Sequence, residues 1–523
     1  MKAITADIGI VAAGPAGLCA AAAAAELGAS VVVFEKRGTF GGSANMGMGP
    51  FAVESRIQRR SMNNLRKEDA FRQFMDYVHW RANAKLVRDY FWKSGNTIDW
   101  LENMGVQFVG AVKNFPDSEA TWHIVRPESG GQPGPCSARA MNKVIFQYAK
   151  DLGVEFYFNA PVQKLIKEDN AVVGFLAQDK TETYEVHARA VILATGGFGS
   201  NPQMIKDYTG YTLDEDITTF KIPGVTGDGL KMAWDIGAGK SQMTMERTPG
   251  PALPGVTLGK RPNATLFNQA GPIAINKSGW RICDESVMQN ASVSGSIIDY
   301  QQDHTVFMVA DDSMVKHYRE HGVDFPSEVF RVDPTEGFEE AWSQYSQEFP
   351  EAAYTAGSLE ELALSMGVNV DNFLETVKRY NEFCETGFDD DFGKHREYMH
   401  PLKGDHFYAI RLRVGAYGSL GGIRIDHKLR VLTDDYQVIP GLWAAGSDVC
   451  DIYSDTYYYY FPGNTMGFAL NTGRMAGEYA TDYVQKCTVT TPAKYHFTKP
   501  ESPPCTNSTA CLASNVVLPE SYK

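Results

Sequence analysis

The chain has 523 residues, of which 43% are hydrophobic and 21% charged, and its formal net charge is −14. That length suits two domains or one domain carrying a long insertion, and the apolar fraction supports a sizeable core. The acidic balance argues against nucleic acid or an anionic membrane as partner, and no run of about eighteen apolar residues is available to span a bilayer.

Residues 1–30 have the outline of a secretory leader, with a lysine, an apolar run and small residues. However, Asp7 precedes the apolar run, and the glycines follow a spacing with another explanation. Residues 8–12 read as a buried strand, 16–27 as an Ala-rich helix and Val31 to Phe34 as a second strand. In the turn, Ala12-Ala13-Gly14-Pro15-Ala16-Gly17 stands where the dinucleotide fingerprint G-x-G-x-x-G is expected, with Ala12 replacing its first glycine. Gly14 lets backbone approach a pyrophosphate, and Gly17 lets the helix pack close to the strand. The helix start, with Ala13 and Ala16, offers amide donors to phosphate. Glu35 ends the second strand 18 residues after Gly17, placed to accept hydrogen bonds from an adenosine ribose, and Lys36 follows it. The alternative is a purely structural Ala/Gly-rich turn.

A second glycine-rich loop, GTFGGSANMGMGP (38–50), comes directly afterwards and contains Gly41, Gly42 and Ser43. A nicotinamide enzyme has no need of it, whereas an extended FAD does, along its pyrophosphate and flavin edge. Val162 is a further cofactor candidate. Two later apolar strands end in small residues, where backbone must pass close to a cofactor. These are AVILATGGFGSN (190–201), with Ala194, Thr195, Gly196 and Gly197, and GLWAAGSDV (441–449), with Gly446 and Asp448. Asp228, Asn464 and Met466 complete the set of expected FAD contacts.

Eight cysteines are scattered without a CxxC pair, so zinc, iron–sulfur and c-type haem have no signature, and reduced thiols in a cytoplasmic protein are expected. Cys505 and Cys511 lie in a Pro/Ser/Thr-rich tail, beside a glycosylation sequon at Asn507, and nothing requires them to pair. GAGKS (237–241) is no phosphate loop, because Trp234 occupies the place of its first glycine. The histidines lack metal-ligand spacing, and no metal site is expected.

With these elements in place, the chain resembles the flavoprotein family of fumarate reductase, succinate dehydrogenase, urocanate reductase and the 3-ketosteroid dehydrogenases. The resemblance also rests on TGDGLKMAWDIGA (226–238), INKSGWRICDES (275–286), LETVKRYNEFCETGFDDDFGK (374–394), GSLGGIRID (418–426) and GNTMGFALNTGRMAG (463–477). It implies an α/β fold in which a Rossmann-like FAD-binding domain is built from two segments, 1–235 and 405–485. An α+β substrate-capping domain, 236–404, is inserted between them, and 486–523 forms a tail. The FAD is expected to be bound non-covalently.

Family members that reduce fumarate grip a carboxylate with cations, and the matching positions here are neutral. The resemblance places Gln289 where those enzymes have their proton-donating arginine, Tyr417 to Ser419 where a histidine falls, and Tyr460 where a second arginine falls. A dicarboxylate brought here would be desolvated without a partner. The run YYYYFPGN (457–464) instead resembles the Tyr-Pro-Gly stretch of the ketosteroid dehydrogenases, with Phe461 in place of a tyrosine and Gly463 closing the turn. Tyr460 and Tyr458, on one side of an extended segment, are the first catalytic candidates, with Gln289 and Tyr417 beside them. Alternatively, all four tyrosines pack against the inserted domain. A second wall is TWHIVRPESGGQPG (121–134), where Trp122, His123 and Arg126 are candidate contacts, though His123 also suits an ordinary surface histidine.

The expected reaction is hydride transfer between flavin and an activated carbon–carbon bond of a neutral, bulky ring substrate, a steroid-like or polyphenolic enone. The electron donor is left among NAD(P)H, free reduced flavin and a partner protein. The rivals are a small-carboxylate reductase with relocated cations, Arg413 and Arg424 being nearest, and a flavin-carrying electron-transfer subunit.

Overall fold

The computed structural model describes residues 1–251, 266–326, 329 and 333–490. Most of the expected 486–523 tail, with Cys505, Cys511 and Asn507, lies outside the described residues.

The chain opens with strand β1 (Lys2–Val11), a helix (Pro15–Glu26) and β2 (Val31–Glu35). An antiparallel pair follows, β3 (Phe108–Val112) and β4 (Trp122–Val125), and then β5 (Glu155–Phe158), β6 (Val162–Glu168), β7 (Ala171–Gln178) and β8 (Thr183–Leu193). Next come β9 (Ile217–Thr219), β10 (Thr244–Pro251), β11 (Ile273–Ile275), β12 (Thr305–Asp311), β13 (Ala353–Ala356) and the long β14 (Phe407–Leu420). The last strands are β15 (Arg430–Leu432) and β16 (Val438–Ala444), before a long helix, Asn464–Thr490.

The larger sheet runs β15-β16-β8-β1-β2-β5, with β7 and β6 added beside β8. Its centre is parallel: Ile8 lies between Val31 of β2 and Ala190 of β8. Such strands are covered on both faces, which is why β2 is buried along its whole length. The helix Pro15–Glu26 owes its alanines to the same packing. A Cβ on Gly473 would lie 2.1 Å from the Ala16 carbonyl oxygen, and one on Gly477 2.4 Å from that of Ala20. Two glycines one turn apart therefore let the long helix press directly onto the first, which any larger residue would prevent.

The second sheet has the order β10-β14-β12-β11, with β9 and β13 also paired to β14. β14 and its partner β9 lie outside 236–404, yet β14 also pairs with β10, β12 and β13 from inside it, so β14 serves as the common spine. The helix Ala291–Tyr300 seals one face of this sheet, and Gly295 permits its approach, since a Cβ there would meet the Thr248 nitrogen at 2.7 Å.

Candidate active site and cofactor cleft

The carboxyl ends of β1, β2 and β8 open into a cleft of about 870 Å³, its mouth included. Ligands of open α/β sheets bind at this edge. Gly14, Ala16, Glu35, Lys36, Gly42, Ser43, Val162, Ala194, Thr195, Gly196, Asp228 and Gly446 all line it. Sequence positions as far apart as Val11 and Ala469 therefore converge on one cavity.

The turn after β1 carries the cost of its missing glycine. Ala12 has φ 84°, the left-handed region that favours glycine. Gly17 has no such latitude, because a Cβ there would sit 2.0 Å from the Ala12 carbonyl oxygen. Gly42 faces Gly14 across the cleft, and its Cβ would lie 3.3 Å from the Gly14 Cα. These bare backbones, with the helix start at Pro15, form a cradle that side chains would fill, and they fit a pyrophosphate.

Charged groups frame the cradle. The amides of Ala13 and Arg37 each donate to Glu35, at 2.8 Å. Lys36 Nζ binds Asp228 at 2.5 Å and the Thr226 hydroxyl at 3.0 Å. Asp448, wholly buried, accepts the amides of Thr195 and Gly197 and the Thr195 hydroxyl. It therefore braces the loop after β8. Gly197 and Gly41 shape the surrounding turns at φ 83° and 93°, and the Gly41 amide donates to the Ala13 carbonyl.

Beyond the cleft, Asn464 begins the long helix. Its Oδ1 accepts from the hydroxyls of Tyr453 at 2.7 Å and Tyr90 at 3.2 Å, while its buried Nδ2 has no partner among the described residues. An orphan buried donor fits a ligand with acceptor atoms, such as a flavin ring. The Met466 methyl stands where a Cβ on Gly47 would be, at 2.3 Å.

The tyrosine run is a turn and not the expected extended segment, since the Tyr459 amide donates to the Tyr457 carbonyl at 3.1 Å and the Phe461 amide to the Tyr458 carbonyl at 3.3 Å, yet its rings still pair at alternate positions. Tyr457 meets Tyr459 at 5.9 Å between ring centroids, and Tyr458 meets Tyr460 at 5.6 Å. Their further ring partners among the described residues include Phe74, Tyr77, Phe115 and Tyr453, from the first part of the chain and from the run's own loop. Tyr457 and Tyr458 are buried, whereas Tyr459 and Tyr460 are half-buried. Phe461 is completely buried against Phe51, Phe91 and Tyr458, a core position and no open wall. Gly463, at φ 83°, lets Trp122 close in, since a Cβ would meet its Cδ1 at 2.7 Å.

Other expected site residues are placed differently from one another. Trp122 is half-buried and donates to the Gly49 carbonyl at 2.8 Å. Arg126 is exposed, its amide bonded to Gln107. His123 is not at the surface. It is fully buried, with Nε2 2.7 Å from the Ser55 hydroxyl and Nδ1 2.9 Å from the Thr121 carbonyl. Burial holds its ring down to about 4. Tyr417 stacks on Phe220 at 5.5 Å, and the buried Ser419 hydroxyl accepts the Phe198 amide at 2.7 Å.

Gln289 ends a short helical turn, Glu285–Gln289, and its buried Oε1 has no partner among the described residues. Glu285 itself belongs to a closed ion cluster, receiving Arg281 at 2.8 and 2.9 Å and Lys394 at 3.1 Å, while Arg281 also binds Asp389. Burial pushes the Glu285 carboxyl up, but Lys394 and Arg281 outweigh it and keep it below the usual carboxylate range. Arg413 is turned to the Glu215 carbonyl and Arg424 to Asp434, so neither offers a free guanidinium. Arg247 lies nearer the tyrosines, with its charge already matched by Asp299.

Two residues of this region escaped the sequence reading. Glu246 in β10 is buried, and its Oε1 accepts the Thr465 hydroxyl at 2.8 Å. The sequence signal for it is an acid beside Arg247 in the stretch MTMERTP.

The family model described as FAD binding domain matches residues 7–460. A vinyl phenol reductase of Lactiplantibacillus plantarum is 32% identical over 493 residues, covering 92% of this chain and 97% of that protein. The open conformation of a flavocytochrome c3 fumarate reductase superposes with a TM-score of 0.67 at 26% identity, covering 92% of this chain and 79% of the other. A 3-ketosteroid-delta4-(5alpha)-dehydrogenase of Rhodococcus jostii RHA1 gives 0.71 at 22% identity, covering 91% and 97%, a likeness of fold. Among the described residues no helix is long and apolar enough to cross a membrane.

Proposed function

The chain belongs to the FAD binding domain family, and from that premise we propose that it reduces the carbon–carbon double bond of a neutral, ring-bearing substrate of phenolic or enone type. That it is an FAD-dependent oxidoreductase acting on C=C or CH–CH bonds follows from its relatives. The observation carrying the finer reading is the aromatic cluster of Tyr77, Phe115, Tyr458 and Tyr460, with no unmatched cation beside it among the described residues. Flat rings bind such surfaces through apolar contact and edge-to-face geometry, whereas a dicarboxylate would lack partners there. The similarity to a vinyl phenol reductase supports the same choice.

FAD, when bound, supplies the hydride. The chain's own part begins with holding it: the cradle at Gly14 and Gly42 takes the pyrophosphate and Glu35 the ribose. We take the FAD to be held non-covalently by these contacts. A groove between the helix Ala291–Tyr300 and Thr456, just before the tyrosine run, offers the substrate a path under the 236–404 cap. The Ser296 hydroxyl in it is buried without a partner among the described residues. A phenolic alkene is not electron-poor by itself. It accepts hydride only once a proton adds to its terminal carbon while the ring hydroxyl releases one, so the site must hold an acid.

The test is anaerobic. The FAD-loaded protein is reduced with dithionite, and flavin reoxidation is followed with a vinyl phenol, a steroid enone and fumarate. Rapid reoxidation by a ring substrate but not by fumarate is expected, and the opposite pattern overturns the proposal. Supplying reduced nicotinamide or free reduced flavin in place of dithionite then separates the possible donors.

A further inference from the structure

We infer that Glu246 is the acid of this site, holding a proton on its carboxyl, pinned by Thr465, for delivery to the substrate carbon. The inference deepens the proposed alkene reduction and rests on it for the fate of the proton. Its foundation is placement. The pairing of β10 with β14 shifts between Met245–Ser419 and Arg247–Ala416, so Tyr417 and Gly418 together oppose the single residue Glu246. The extra residue lies on β14, and such irregularities gather next to active sites. Here the carboxyl reaches Thr465 on the long helix. Thr465 lies one turn before Ala469 on the same helix face, and Ala469 lines the cofactor cleft. On the sheet side, Ser419 packs against Gly197, in the loop braced by Asp448. Glu246 is thus bracketed by two walls of the cofactor region.

Its surroundings keep it neutral. The titratable groups facing it are Cys450, Tyr453 and Tyr457, all uncharged in their ordinary state. Arg247, next along the strand, points to Asp299. Oε1 takes the Thr465 hydroxyl, and Oε2 accepts no hydrogen bond among the described residues, which leaves an O–H there for transfer. Burial, opposed only by the Thr465 bond, pushes the carboxyl up to about 7. In the step, the Glu246 O–H bond breaks and the alkene electron pair forms a C–H bond at the terminal carbon, while the ring hydroxyl's proton leaves to water. The hydride that bound FAD would supply then bonds the carbon next to the ring, and the phenolate so formed takes a proton back from water. The carboxylate left behind regains its proton from water.

The test uses FAD-loaded wild-type protein, Glu246→Gln and Thr465→Val. Glu246→Gln keeps the acceptor for Thr465 and removes the proton. It is expected to bind flavin normally but to slow flavin reoxidation by the active alkene on the order of 100-fold or more. Infrared spectra should show a protonated-carboxyl band in wild type that fades as pH rises through neutrality and is absent from Glu246→Gln. The stability that Glu246 contributes, read as wild type minus Glu246→Gln in thermal unfolding, should be lost as pH rises from about 4.5 to about 7. Thr465→Val, which leaves the carboxyl in place, should keep the infrared band and stands in if Glu246→Gln does not fold. An unchanged rate and pH profile in Glu246→Gln, or no neutral-range carboxyl band in wild type, overturns the inference. If only a non-phenolic alkene reoxidises the flavin, the phenolic reading fails, and Glu246 stands or falls on that alkene and the band.

Discussion

The carboxylate of Glu35 accepts the amide of Ala13 through Oε2 and that of Arg37 through Oε1, each at 2.8 Å. The acid ending β2 therefore fastens the turn after β1 while keeping lone pairs for a ribose. Glu35→Ala should weaken FAD binding by roughly 10- to 100-fold, since a charge-assisted hydrogen bond contributes about 1.5–3 kcal/mol. Flavin retained through gel filtration reads this directly, and undiminished retention would remove Glu35 from the site.

The strained turn can be relieved or broken. Ala12→Gly should raise stability by up to about 1 kcal/mol, because a non-glycine residue in the left-handed region costs about 1–2 kcal/mol and glycine gives part of that back in chain entropy. Gly17→Ala should yield no folded, flavin-loaded protein, as its Cβ would overlap the Ala12 carbonyl at 2.0 Å. Denaturant unfolding of the two variants separates these outcomes.

His123 predicts an acid limb. Its ring titrates at about 4 when folded and near 6.5 when unfolded, because burial disfavours the cation. The unfolded chain therefore binds the extra proton between those values. The His123 contribution is full above about pH 6.5 and falls as pH drops through the window, by at most about 3 kcal/mol at 1.36 kcal/mol per pH unit. In His123→Gln the melting temperature should vary less over this range. A curve as steep as wild type would contradict the assignment.

The aromatic run should divide by burial. Phe461→Ala, at a fully buried site, should cost about 3–5 kcal/mol in denaturant unfolding. Tyr460→Phe, at a half-buried position, should leave stability within about 1 kcal/mol and change the kinetics of alkene reduction. An unchanged kcat and KM would assign Tyr460 to packing alone.

The sequence by itself determined the strand–turn–helix at 8–35, Glu35 at its end and the later strands that run into small residues. Those features are local: a period of two or of 3.6, and a glycine wherever backbone crosses backbone, can be read within a few residues. Only the tertiary structure decided that His123 is buried between Ser55 and Thr121, that Phe461 is core and that Asp448 braces the loop at Thr195. It also decided that Glu246 meets Thr465, 219 positions away. Burial and pairing across such separations depend on how two sheets and a long helix stack, and no local pattern records whether a given histidine or glutamate faces water or the interior.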